Sequence, residues 1–303
     1  MENALVALSD GLAVVVEKAG RAVVAVHGRP RVSSSGVLWR PGVVLTADHT
    51  LRREDGVRVT LPDGSAVPAE IAGRDSGTDL AVLKIDAADV PMDGQAPSVL
   101  KVGNLALVVG RSADTGASAT LGVVSSLSGA WHTWRGGQID QFVRLDAGVY
   151  PGLSGGAVVD AQGGFIGIAT LGLSRTSPLA IPVSTIERVA AELLEKGHIA
   201  RGYLGVGLQP VGVPQHLKDR LGIAGKSGLI VLSVEAEAPA GRAGVGIGDV
   251  FVALDGKPVG DTEDVRAALG AEYVGKTVQA SILRGGALIE LPIKVGERPR
   301  RSA

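Results

Sequence analysis

The sequence predicts a mainly β chain: two antiparallel β-barrels in succession, then a smaller domain of mixed strand and helix. Three observations predict it. Glycine supplies 44 of the 303 residues, about twice its usual share, beside 45% hydrophobic residues and without a collagen period, which suits short strands joined by tight turns. Runs of Val, Ile and Leu recur in two series of about six, and no helix-length crossover separates successive runs, so the strands pair antiparallel. Beyond residue 201, strand patterns alternate with two helical ones over about a hundred residues, enough for a second domain.

In chain order, residues 3–19 place Leu5, Leu8, Leu12, Val15 and Val16 near helical spacing, and the pattern stops at Gly20. This amphipathic helix is expected to pack on its own domain, with a subunit contact as the alternative. The first strand series is 23–26, 36–39, 43–46, 57–61, 67–72 and 80–85, with turn signals such as Pro62-Asp63-Gly64 between runs. The second is 105–110, 119–125, 141–145, 157–159, 165–171 and 179–181. Ser184-Thr185-Ile186-Glu187 reads as a capping box opening a helix whose stripe is Ile186, Val189, Ala190, Leu193 and Leu194, ended by Gly197. Strands then resume at 203–208, 228–234, 249–254, 277–283 and 288–295, with helices at 214–221 and 262–269. The expected organisation is an N-terminal segment at 1–22, a first domain at 23–197, a second at 201–296 and a disordered tail at 297–303, whose Arg298, Arg300 and Arg301 are a solvated end.

Composition removes several function classes. Thirty Lys+Arg against thirty-one Asp+Glu leave a formal charge of −1, with no basic field to collect nucleic acid. The absence of cysteine excludes disulfides, Cys-ligated zinc, iron–sulfur clusters and thiol catalysis. The five histidines, His27, His49, His132, His198 and His216, form no His-Glu-x-x-His set, so neither a metal nor another cofactor is expected. Gly244-Val245-Gly246-Ile247-Gly248 lacks the strand and long helix of a dinucleotide fingerprint. The longest apolar stretch near the start, residues 11–16, is far short of the roughly 20 residues of a membrane span. The opening Met1, Glu2, Asn3, with Asp10 close behind, does not read as an export signal.

One constellation carries chemistry. Pro151-Gly152-Leu153-Ser154-Gly155-Gly156 puts a serine in a glycine-bounded turn before a buried strand, where amide N–H groups can meet a developing oxyanion. A serine hydroxyl needs an imidazole to take its proton and a carboxylate to orient that imidazole. His49, where strand 43–46 ends, and Asp79, opening strand 80–85, supply both. The order His, Asp, Ser is that of chymotrypsin, with two members in the first barrel and the serine in the second. Asp48 beside His49 is expected to be exposed, though it could compete for the imidazole. In the second domain, Tyr203-Leu204-Gly205-Val206 can offer backbone N–H groups to a peptide carboxylate while the following strand edge accepts the peptide, with helix 262–269 as the groove's other wall.

These residues, with Ser34-Ser35-Gly36-Val37-Leu38, Leu45-Thr46-Ala47-Asp48-His49, Gly73-Arg74-Asp75, Ala180-Ile181-Pro182 and Gly248-Asp249-Val250-Phe251, resemble the HtrA/Deg family of trypsin-like serine proteases. The resemblance implies a chymotrypsin-like double β-barrel followed by one small α+β PDZ domain. It implies His49 as general base, Asp79 as its orienting partner, Ser154 as nucleophile, and the N–H groups of Gly152 and Ser154 as oxyanion donors. It places Ser177, Pro178 and Leu179 along the primary pocket, where the lack of a carboxylate favours a small apolar residue before the cleaved bond. Loop 128–140, with Trp131, Trp134 and Arg135, falls where PDZ occupancy is sensed. The implied protein is a cofactor-free endopeptidase, commonly a homotrimer, acting on unfolded or misfolded protein in the cell envelope; a cytoplasmic site is the alternative. The rival function is a catalytically locked chaperone or adaptor that binds peptide C-termini. Tyr150, Leu153, Ala157 and Gly110-Arg111-Ser112 depart from the family pattern.

Overall fold

The computed structural model describes residues 3–87, 91–92, 99–150, 152–270 and 273–298, so the expectations for Pro151 and residues 299–303 lie outside the described residues. The chain divides after Ile199 into two compact units.

The first unit opens with α1 (Ala4–Gly20), capped by the Asn3 side chain, which accepts from the Leu5 N–H. Val15 and Ala19 bury one edge of the helix, while Leu5, Leu8 and Val14 are exposed. Strands β1 (Val23–His27), β2 (Ser34–Arg40), β3 (Val43–Ala47), β4 (Arg58–Thr60), β5 (Ala66–Asp75) and β6 (Leu80–Ile85) close into a barrel in the order β1-β2-β3-β6-β5-β4. The second barrel is made by β7 (Leu105–Ser112), β8 (Gly116–Ser128), β11 (Phe142–Asp146), β12 (Ala157–Asp160), β13 (Phe165–Thr170) and β14 (Leu179–Pro182). Its cyclic order, β7-β8-β11-β14-β13-β12, repeats that of the first, and every pairing is antiparallel. Between β8 and β11, β9 (Trp131–His132) and β10 (Gln138–Ile139) pair as a small hairpin where the sequence suggested a loop.

Helix α2 (Val183–Lys196) lies against β5, β6, β13 and β14, burying Ile186, Val189, Ala190 and Leu193, and ends at Gly197 with φ 77°. The expected capping box is not formed. The chain runs straight from β14 into the helix, Pro182 occupies the N-cap, and Thr185 Oγ1 instead accepts from the Asp140 N–H at 2.8 Å.

In the second unit a sheet runs β16 (Val206–Gly212), β17 (Ser227–Val234), β18 (Val250–Leu254), β20 (Thr277–Arg284), β21 (Ala287–Lys294), with β19 (Lys257–Pro258) on β18. Helices α3 (Gln215–Leu221), α4 (Pro239–Arg242) and α5 (Thr262–Ala267) accompany it, α5 opening on an Asp261/Asp264 capping box. The expected strand 203–208 is broken at Leu204-Gly205: β15 (Gly202–Tyr203) pairs with β22 (Gly296–Glu297), so the chain remains ordered past the expected start of the tail. Arg298 extends that pairing, donating its N–H to the Arg201 carbonyl at 2.9 Å.

Candidate active site

Asp79 is the fixed point of the site. Its φ of 57° is a left-handed conformation that costs a non-glycine residue about 1–2 kcal/mol. The preceding turn holds it there: the Asp75 carboxylate accepts from the Gly77 N–H at 3.1 Å, the Thr78 N–H at 3.0 Å and the Thr78 hydroxyl at 2.8 Å. From this position the fully buried Asp79 carboxylate accepts from the His49 backbone N–H at 2.9 Å and meets His49 Nδ1 at 2.8 Å. The Thr170 hydroxyl, at the end of β13 in the other barrel, also donates to it. Two residues of the first barrel and one of the second are therefore joined across the seam between the barrels.

Asp48 is not the exposed carboxylate the sequence suggested. It is buried in the single 3-10 turn that carries His49 and accepts from Arg74 Nε at 2.6 Å. Arg74 also donates to the Leu51 carbonyl at 2.9 Å, tying that turn to β5. Burial pushes the Asp48 carboxyl above its ordinary value, and Arg74 opposes this. The folded protein thus holds a proton on Asp48 more tightly than the unfolded chain does, and the stability this contributes is lost as pH rises through the raised value. Arg74→Ala removes the opposing charge, so it is expected to cost about 3 kcal/mol at pH 7 and less at pH 4.5, read by urea unfolding at both values.

Ser154 lies in the turn before β12. Its turn is closed by Leu153 N–H to Tyr150 C=O and Gly156 N–H to Leu153 C=O, both at 2.9 Å. Gly155, at φ 89°, is pressed against the first barrel: a Cβ there would stand 2.1 Å from the Ser35 carbonyl and 2.5 Å from Thr46 Oγ1, beside the strand end that leads to His49. The Ser154 hydroxyl is buried with no hydrogen-bond partner among the described residues, so the serine is not bonded to His49 here. Hydrogen bonds between catalytic groups are commonly loose before substrate binds. Among the described residues the amides of Gly152 and Ser154 also donate to no protein acceptor.

Leu179 is buried in the main core of the first unit, and Ser177 and Pro178 are half-buried beside it. Trp131 packs edge-to-face on Phe142, with ring centroids 5.4 Å apart, whereas Trp134 is 61% exposed with the Arg135 guanidinium 4.5 Å over its ring. Their loop is fastened to the turn that presents Asp79, the Thr133 hydroxyl donating to the Gly77 carbonyl at 2.7 Å. In the second unit the Leu204 side chain is core and its carbonyl accepts from the Ala240 N–H; the Gly205 carbonyl accepts from the Glu235 N–H. Among the described residues the Leu204 and Gly205 amides meet no protein acceptor, and β16 is an edge strand with α5 beside it. Burial and the neighbouring Glu235 carboxylate push the Tyr203 phenol up to about 12, so its O–H stays protonated and donates to Glu235.

Residues 34–168 match the trypsin-like peptidase domain family, and residues 202–295 match the PDZ domain family. The chain is 33% identical over 280 residues to the serine protease Do-like HtrA of Lactobacillus helveticus, covering 86% of this chain and 68% of that one. The chain belongs to the HtrA family of trypsin-like serine proteases. Another HtrA-family relative, named "Probable periplasmic serine endoprotease DegP-like" in Brucella suis, is 33% identical over 282 residues, covering 90% of this chain and 54% of its own length. This chain therefore spans about half the length of several curated relatives it matches. The solved HtrA-type protease AlgW with a decapeptide superposes with a TM-score of 0.75 at 29% identity, covering 96% of this chain and 99% of that one.

Thr170 went unnamed in the sequence, and Arg74 and Ser35 were named only within segments that resemble the family, with no role assigned, although all three hold the candidate site. A hydroxyl ending an apolar strand and an Arg after a glycine are common, and their roles depend on what the other barrel or the next turn places opposite them.

Proposed function

We propose that this chain is a serine endopeptidase of unfolded or misfolded protein, with Ser154 as nucleophile, His49 as general base and Asp79 as its orienting carboxylate. The supporting observation is the Asp79 carboxylate, which grips both the backbone and the Nδ1 of His49, directly across the seam from the Ser154 turn. With Asp79 on Nδ1, the ring's Nε2 is left to take the hydroxyl proton as Ser154 Oγ attacks the peptide carbonyl. The imidazolium then protonates the leaving amine, and water repeats the sequence on the acyl-enzyme. Uncommitted N–H groups at Gly152 and Ser154 suit the oxyanion. The chemistry asks for neither metal nor cofactor.

A fluorophosphonate probe tests the assignment. It should label the wild type at Ser154 alone and leave His49→Ala unlabelled; labelling elsewhere, or equal labelling of both proteins, overturns it. The sealed Ser154 hydroxyl favours one rival, an adaptor locked in an inactive state, which would take no label under any condition.

The same reading extends to specificity and control. The segment Ser177–Leu179 offers no carboxylate, so peptide-library profiling should show cleavage after small apolar residues rather than after Lys or Arg. A peptide with a free apolar C-terminus would bind at Tyr203–Val206, its carboxylate on the Leu204 and Gly205 amides and its strand on the β16 edge. Binding is expected to raise turnover about 5–150-fold, the usual range for coupled sites, with Arg135→Ala weakening stimulation more than peptide affinity. Tight binding by calorimetry with an unchanged rate would reduce the second domain to a tether. The exposed Leu5, Leu8 and Val14 of α1 support a contact between copies, which the family resemblance makes a homotrimer, and the names of the relatives support a place in the cell envelope.

A further inference from the structure

The serine turn is held from behind by one residue of the first barrel. Ser35, buried on β2, donates its N–H to the Ser154 carbonyl at 3.1 Å and its hydroxyl to the Gly152 carbonyl at 2.8 Å. The same hydroxyl accepts the Arg111 N–H at 2.9 Å, so both of its hydrogen-bonding roles are used. Arg111 turns its side chain the other way: Nε donates to the Val23 carbonyl at 2.6 Å and Nη2 to the Gly20 carbonyl at 2.8 Å. Gly20 is the last residue of α1, where helix carbonyls lack partners within the helix. An unbroken path of contacts therefore leads from the end of α1 through Arg111 and Ser35 to the turn around Ser154.

Of the departures from the family pattern, Gly110, Arg111, Tyr150 and Leu153 lie along this path. A Cβ at Gly110 would stand 2.5 Å from Leu153 Cδ2 and 2.6 Å from Ser35 Oγ, so the bare glycine makes room for both. Leu153 is buried there. A peptide unit moves as a rigid plane, and the plane between Gly152 and Leu153 is pinned at both ends, its carbonyl by Ser35 and its N–H by the Tyr150 carbonyl. The next plane, which carries the Ser154 N–H, is held through its Leu153 carbonyl by the Gly156 N–H, so the backbone on both sides of Leu153 is restrained and the Ser154 amide with it.

We propose that Ser35 is a positioning residue for the oxyanion turn and that Arg111 ties it to α1, so that the seating of the N-terminal helix sets the rate of acylation at Ser154. The proposal rests on Ser154 being the nucleophile. Removing one oxyanion donor costs about 10²–10³ in kcat in other hydrolases, and a loosened turn forfeits part of that. Ser35→Ala should lower kcat on a peptide substrate about 10–100-fold with KM within about twofold, and Arg111→Met about 3–10-fold. Because the two residues act in series, the double variant should be no slower than Ser35→Ala alone. Amide hydrogen exchange in the fragment spanning residues 150–156 should speed up in both single variants.

Each result decides. A KM effect without a kcat effect, additive losses in the double variant, or exchange at 150–156 unchanged from wild type would overturn the proposal. If Ser35→Ala does not fold, Arg111→Met alone decides by the same kcat and exchange criteria. Should the wild type neither cleave nor take the fluorophosphonate label, the nucleophile assignment fails and the rate claim fails with it. Exchange then judges the physical tie alone: faster exchange in the variants sustains it, and unchanged exchange removes it.

Discussion

Ser154→Ala is expected to abolish cleavage of an unfolded test protein, a loss of about 10⁵–10⁶-fold, while leaving the fold intact. The catalytic half of the expectation follows from the absence of any substitute: the chain has no cysteine, and no other serine or threonine lies in residues 150–156, the turn whose Gly152 and Ser154 amides donate to no protein acceptor among the described residues. The stability half follows from the hydroxyl itself. Ser154 Oγ is buried without a partner among the described residues, so its deletion breaks no hydrogen bond there and removes a desolvated polar group that costs about 1–3 kcal/mol. The melting temperature should therefore hold or rise. Digestion of the test protein at the wild-type rate would dismiss Ser154 as the nucleophile, and a marked drop in melting temperature would contradict the orphaned hydroxyl.

Gly172→Ala should cost about 10³–10⁴-fold in kcat although Gly172 carries no chemistry. A Cβ there would stand 2.5 Å from Asp79 Oδ2 and 2.7 Å from His49 Nδ1, inside the contact distance of both atoms of the pair. Neither can yield cheaply. Asp79 is held by His49 and Thr170, and the Gly172 N–H is itself bound to Thr170 Oγ1 at 2.8 Å, which fixes the direction of the intruding methyl. The pair must separate, and an imidazole without its orienting carboxylate loses about 10⁴ in kcat in the trypsin case. Single-turnover kinetics should place the loss in acylation, with KM little changed. A variant within tenfold of wild type would mean that the His49–Asp79 contact is not what turnover depends on.

The strand series around Val44, Leu83, Val108 and Ile168 was legible as β structure because apolar runs bounded by turn residues report local burial directly. The second domain was legible for the same reason. The hairpin of β9 and β10 was not, since two-residue strands leave no periodicity to detect. The capping box at Ser184 misled, because the motif describes a helix entered from a loop, whereas β14 delivers the chain into α2 with Pro182 already at the cap. Asp48 misled for a related reason: a carboxylate next to a candidate histidine looks solvated until a partner from another strand, Arg74, is found to bury with it.

Sequence alone determined the residue types of the candidate site and their order, His49, Asp79 and then Ser154, together with the glycines that a tight serine turn needs. These are properties of neighbouring residues and of local backbone freedom, so they can be read along the chain. Only the tertiary structure decided which distant groups hold them. Thr170 reaches Asp79 across 91 positions, Ser35 reaches Gly152 across 117, and Arg111 reaches Gly20 across 91. Closure of the barrels brings those groups together: each barrel is locally encoded, but the partners at their seam are chosen by the packing of one against the other, which no local pattern records.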